Sequence, residues 1–140
     1  MPIAAVVADA NVLLSAVVGK AARRVFDEFD VVVHVAAFTC GEVEEYLPLM
    51  AEKYHLEREL VFLSWRLLPF QRHSFAKCER YFRGALAAMK SRDPEDAHAL
   101  ALARRLRLPL WSNDRDLKIP GQLFFPTAKL LSALERGIKS

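Results

Sequence analysis

The apolar residues of this 140-residue chain fall into short continuous runs and longer helical stripes. Ile3 to Ala8 has no polar break and carries isoleucine and two valines, which predicts a buried strand with Asp9 at its carboxyl end. Asn11 to Ser15 predicts a short helical turn, Gly19 interrupts the pattern, and Ala21 to Phe29 predicts a helix. Val31 to Val35 is compact and β-branched, a second strand. From Phe38 to Tyr54 the residues Val43, Leu47, Met50 and Tyr54 recur on one helical face with acids on the other. Leu56 to Leu68 predicts a further helix, stopped by Pro69. Ser74 to Met89 predicts another, with Phe75, Cys78, Phe82, Leu86 and Met89 in one stripe and Lys77, Arg80, Arg83 and Lys90 on or near its other faces.

Asp93-Pro94-Glu95-Asp96 is a helix-start pattern, with Asp93 at the N-cap, Pro94 at the first helical position and Asp96 at the third. The helix it opens, to about Leu106, is apolar on most sides until Arg104, which predicts deep packing. Leu108 to Trp111 predicts a strand, Ser112 to Asp116 the loop at its end, and Leu123 to Phe125 a short last strand. Thr127 caps a final helix that Gly137 ends. This alternation predicts a single α/β domain over residues 1–140, with a mostly parallel central sheet flanked by helices. Ligands of such sheets bind beyond the carboxyl ends of the strands, where Asp9 and Asp114 should point.

Composition narrows the class. Apolar residues make up 53% and charged residues 26%, an ordinary balance for a globular domain with a sizeable core. No uncharged apolar stretch reaches the ~18 residues of a membrane span. The apolar N-terminus lacks a basic leader and is interrupted by Asp9 and Asn11, so no signal peptide is expected. Cys40 and Cys78 have no metal-ligand spacing and read as reduced, buried small residues of a cytoplasmic protein. The net charge is only +3, but it conceals an asymmetry. With Asp9, Glu42, Asp96, Asp114 and Asp116 set aside as one pocket, 12 acids face 20 Lys and Arg, a balance of +8. An acidic pocket in a basic remainder suits a polyanion whose phosphates meet a metal.

Four acidic patches stand at the ends of elements: Asp9; Glu42 with Glu44 and Glu45; Asp93 with Asp96; and Asp114 with Asp116. Burying carboxylates is costly, and hard divalent cations such as Mg²⁺ and Mn²⁺ offset that cost with oxygen ligation. His34, His55, His73 and His98 share no ligand spacing, so Mg²⁺ or Mn²⁺ is expected over Zn²⁺. Each acid also has a plainer reading: Asp9 and Asp93 as caps, Asp96 as a helix-dipole partner, Asp114 and Asp116 as turn residues, and Glu44 and Glu95 as surface charge.

The four patches in this order resemble the motifs of PIN-domain ribonucleases, the family that includes the VapC-like toxins of type II toxin–antitoxin pairs. The resemblance spans nearly the whole chain. Asp9-Ala10-Asn11-Val12-Leu13-Leu14-Ser15 after a strand is similar to the first motif, and implies Asp9 as a metal ligand supported by Asn11. Glu42-Val43-Glu44-Glu45-Tyr46-Leu47 is similar to the second, with Glu42 the ligand and Glu45, one turn on, its rival. Asp93-Pro94-Glu95-Asp96-Ala97 is similar to the third, with Asp96 the ligand and Asp93 nearby. Ser112-Asn113-Asp114-Arg115-Asp116-Leu117 is similar to the fourth, with Asp114 the ligand, Asp116 secondary and Ser112 supporting. Ser112 stands where threonine is common and Leu117 where phenylalanine is common.

The resemblance implies a Mg²⁺- or Mn²⁺-dependent endoribonuclease, an RNA substrate, a cognate antitoxin and a possible homodimer. Arg72, Arg83, Arg92 and Arg115 are candidates for gripping phosphates. Large apolar residues between Tyr54 and Leu68 (Leu60, Phe62, Trp65) suit either a protein interface or a satellite core. Two other readings remain open. One is a non-catalytic interaction module of the same fold. The other is an α/β phosphatase or phosphoacceptor domain using Asp9, for which the second acid would fall at Asn11 and no phosphate-contacting lysine follows a late strand.

Overall fold

A computed structural model describes residues 3–89 and 93–139. Strand β1 (Ala5–Ala8) leads into helix α1 (Ala10–Val17), then α2 (Arg23–Glu28), β2 (Val32–Ala36), α3 (Ala37–Lys53) and α4 (Arg58–Leu67). Next come β3 (Gln71–His73), α5 (Phe75–Ala88), α6 (Asp96–Leu106), β4 (Leu110–Trp111), a 3₁₀ turn (Arg115–Leu117), β5 (Phe124–Phe125) and α7 (Thr127–Lys139). All strand pairings are parallel, in the order β3-β2-β1-β4-β5. The chain winds outward from β1 to β3, then returns to add β4 and β5 on the other side. The reversal leaves a crevice between the carboxyl ends of β1 and β4, the place where such sheets bind ligands.

The continuous apolar strands follow from burial on both sides. Val6, Ala8, Val33, Val35 and Trp111 face a core built with α1 to α4 and α7. Val7, Ala36 and Leu110 face a second core built with α5 and α6. Helix α6 lies deepest, with Ala97 and every residue from Ala99 to Ala103 fully buried. Its alanines let the helix approach the sheet and α5 closely. Gly19, after α1, has φ +83°, the left-handed turn that glycine adopts without a Cβ clash.

Several boundaries differ from the pattern reading. Helix α1 is longer than a turn, because Val12, Leu13, Ala16 and Val17 all find core partners. Strand β3 has the sequence Gln-Arg-His and no apolar alternation to betray it; it is an edge strand held by β2 alone. Helix α6 begins at Asp96, and Asp93 makes a turn ahead of it, its Oδ1 accepting from the Glu95 N–H at 3.1 Å. Helix α7 runs through Gly137 to Lys139. On α5 the buried line is Cys78 and Ala85, whereas Phe75 and Leu86 are exposed. Lys90 and Arg92 lie outside the described residues. Cys40 and Cys78 are free and buried, as expected.

Thr127 does not cap α7 with its hydroxyl. The Thr127 Oγ1 accepts from Trp111 Nε1 at 3.0 Å, and Asn113 Oδ1 takes the Thr127 N–H at 2.8 Å. Asn113 thus caps a helix from a loop fourteen residues earlier. Asn113→Ala is expected to lower stability by about 1 kcal/mol, through the lost cap, as read by denaturant midpoint.

Candidate active site at the carboxyl edge of the sheet

Asp9 leaves β1 in extended conformation at the N-cap of α1, so its side chain stands at the crevice mouth. It is only 3% exposed. Asn11 Nδ2 donates to Asp9 Oδ2 at 2.7 Å and to Ser112 Oγ at 3.0 Å, and Ser112 Oγ donates to the same Oδ2 at 3.1 Å. The Asn113 N–H donates to Asn11 Oδ1 at 3.0 Å, and the Asp114 N–H to Ser112 Oγ at 3.0 Å. The loops after β1 and β4 are therefore laced together, with Asn11 and Ser112 fixing the Asp9 carboxylate. Asp114 is held from its other side by the Asp116 N–H, which donates to Asp114 Oδ1 at 2.9 Å.

The electrostatics show which acids face one another. Burial raises the Asp9 pKa to about 6, with smaller upward pushes from Asp114 and Asp93 and opposing hydrogen bonds from the Ala10 backbone and Ser112. Burial, then the charges of Asp9, Asp93, Asp114 and Glu95, raise Asp96 to about 7. Burial and the adjacent Glu95 carboxyl, then Asp9 and Asp96, raise Glu42 to about 9. Asp9, Glu42, Asp93, Asp96 and Asp114 are thus brought to one edge from four segments of chain. Asp116 is exposed on the 3₁₀ turn, and its backbone N–H donates to Asp114. Glu45 is exposed on α3, whereas Glu42 turns inward.

Two acids read as surface charge have partners. Glu95 lies against Glu42, where it raises that group's pKa. Glu44 accepts from Trp65 Nε1 at 3.0 Å and sits 3.6 Å from Arg72. The position of Glu95 at the N-cap of α6 gave no sign of the first pairing, because that pairing depends on how α3 meets α6. Of the candidate phosphate-gripping residues, Arg72 is engaged by Glu44, Arg83 and Arg115 are exposed, and Arg92 is outside the described residues.

The donor set suits a hard divalent cation. All the converging groups are carboxylates, and Glu42 Oε1 is buried without a hydrogen-bond partner. Desolvation and mutual repulsion raise Asp9 to about 6, Asp96 to about 7 and Glu42 to about 9, and positive charge placed among them favours their ionised forms. Among the described residues, however, no three His, Cys, Asp or Glu side chains are close-set enough to hold an ion as they stand. Two clefts, of 500 and 410 Å³, open elsewhere, against the starts of β1 and β2, and none of these acids lines either one.

The fold has counterparts among known proteins. The chain is similar to a crystal structure of VapBC2 from Rickettsia felis bound to a DNA fragment from their promoter: TM-score 0.66, 12% identity, 87% of this chain and 98% of that one. It is also similar to a toxin–antitoxin complex from Klebsiella pneumoniae: TM-score 0.60, 23% identity, 87% of this chain and 97% of that one. No curated protein sequence matches it. No described helix is long and apolar enough to cross a membrane. The family model described as PIN domain matches residues 7–134, from within β1 into α7. The chain belongs to the PIN-domain family.

Proposed function

We propose that residues 1–140 form one nuclease domain, a Mg²⁺- or Mn²⁺-dependent endoribonuclease acting as the toxin of a toxin–antitoxin pair. The observation that carries this reading is the meeting of Asp9, Glu42, Asp96 and Asp114 at the switch point of a parallel sheet, with the first three pushed well above ordinary carboxylate pKa values. Those four would hold the ion, with Asp116 and Asp93 behind them. A divalent cation there supplies charge neutralisation for a phosphodiester and acidifies an attacking water. Asn11 and Ser112 keep Asp9 in one orientation, so little reorganisation is needed when substrate arrives. The Asp114 carboxylate is aimed by its own loop through the Asp116 N–H.

The basic remainder of the surface favours a polyanionic substrate over a small phosphorylated one. VapBC2 from Rickettsia felis and the toxin–antitoxin complex from Klebsiella pneumoniae, which share this fold, support an antitoxin partner. Leu60, Leu63 and Leu67 along α4, with Leu56 before it and Leu49 on α3, are exposed and suit an apolar cover, by antitoxin or by a second copy of the chain. The purified protein should cut RNA with Mg²⁺ or Mn²⁺ and stop on addition of EDTA, as read on end-labelled RNA. Metal-independent cutting, or none with either ion at any pH from 6 to 9, sinks the proposal. Weak or absent Mn²⁺ binding by calorimetry, together with no cleavage, would identify a non-catalytic module instead.

A further inference from the structure

Beside the acids lies an aromatic cluster, packed through Phe82 against the second core, that the metal chemistry does not use. The rings of Phe38 and His98 stack face to face, with centroids 4.0 Å apart and planes 8° from parallel. Phe82 packs on His98 at 4.7 Å, and Phe75 meets His98 edge-on at 5.6 Å and Phe82 at 5.4 Å. Three helices contribute: α3, α5 and α6. Yet the cluster is not core, since Phe38 is 43% exposed and Phe75 42%. Large aromatic area left at a surface, in a stack braced from behind, is area kept for something.

Its position says what. Phe38 is four residues before Glu42 on α3, one turn along the same face. His98 is two residues after Asp96 and three after Glu95 at the start of α6. The aromatic surface therefore adjoins the place where a phosphodiester would meet the acids. On or near the other faces of the same α5, Lys77, Arg80 and Arg83 are exposed, and Glu79 is the one acid of that helix. Aromatic faces beside a row of cations are how proteins hold single-stranded nucleic acid, the bases stacking and the backbone following the charge. An apolar protein partner would gain nothing from that row.

We infer that Phe38, stacked on His98 and braced by Phe75 and Phe82, is a platform for an unpaired RNA base next to the phosphodiester held at the acids. The inference rests on the ribonuclease reading. It makes the enzyme selective for unpaired segments, because a base inside a duplex is already stacked and cannot reach the platform. Sequence preference at this position is weak, since every base presents a π face.

The test is binding of a short single-stranded RNA carrying 2-aminopurine, whose fluorescence falls on stacking, in EDTA so that nothing is cut. The wild type should quench the probe. Phe38→Ala should weaken binding by between about fivefold and a hundredfold and lose the quench. Phe38→Tyr, which keeps the ring, should restore both and shows that the alanine effect is not misfolding. An abasic nucleotide at the probe position should cost the wild type a similar factor and cost Phe38→Ala nothing further. Equal affinity and quench in wild type and Phe38→Ala, no quench by the wild type, or an abasic cost of the same size in both proteins overturns the inference. The same strand with Mn²⁺ reports on the ribonuclease reading separately. Quenching without cleavage sinks that reading alone, and cleavage indifferent to Phe38 sinks the platform alone.

Discussion

Asp9→Asn is expected to give a protein that melts higher than the wild type in EDTA and cleaves RNA about a thousandfold more slowly with metal. The two effects have one cause. Asp9 is 3% exposed, and burial lifts its pKa to about 6. A carboxyl raised by about two units holds its charge at pH 7 at a cost of about 3 kcal/mol relative to the unfolded chain. Asparagine removes the charge and keeps the shape, and the Asn11 amide and Ser112 hydroxyl still have an oxygen to donate to. The metal-free melting temperature should rise by roughly 5 °C or more. The proposed ion site then loses one of its four carboxylates. Asp96→Asn should act in the same direction, since Asp96 is raised to about 7 chiefly by burial and then by the Asp9 charge. Thermal melts with EDTA and single-turnover cleavage with Mn²⁺ decide the matter. A variant that cuts like the wild type removes Asp9 from the metal site, and an inactive variant that melts lower makes Asp9 a structural residue.

Much of this edge was legible because its residues sit where chain geometry is local. Asp9 directly follows an unbroken apolar run, and Asp114 closely follows another, so the end of a buried strand fixes both positions. Asp96 stands at the first residue of an alanine-rich helix whose burial on nearly every side is itself visible as a lack of polar periodicity. What could not be read depends on how distant segments meet. Gln71–His73 forms a strand only because β2 offers it an edge. The α5 stripe put Phe75 inside, whereas α5 rolls to bury Cys78 and Ala85 against α6 and leaves Phe75 beside His98. Glu95 looked like a solvated charge in a helix-start motif, and becomes a partner of Glu42 only when α3 is laid across the start of α6. Asn113 sits in a turn sequence that suggests local bonding, but its side chain reaches the start of α7. In each case the residue type was informative and the missing quantity was the angle between two elements.

The Glu42–Glu95 pairing leads to the second large effect, an opposition between pH and metal. Asp9, Asp96 and Glu42 have folded pKa values of about 6, 7 and 9. Their unfolded values are near 4. Through the window from about pH 4 to 9 the folded, metal-free protein therefore binds more protons than the unfolded chain, and its stability falls as pH rises. A divalent cation must displace those same protons, so its affinity rises with pH across the upper part of the window. Melting temperature in EDTA should decline from pH 5.5 to 8.5, while the increment from saturating Mg²⁺ should grow from near zero. Calorimetric Mg²⁺ affinity should tighten about three-hundredfold between pH 6 and 8.5, on the basis of roughly one proton released per ion. Glu95→Gln removes the neighbouring charge and leaves an amide that can donate to Glu42, so it should move the whole profile to lower pH. A metal increment that stays flat from pH 5.5 to 8.5 would mean that these carboxyls are not the groups the cation meets. A profile that ignores Glu95→Gln would place the upper titration elsewhere than Glu42.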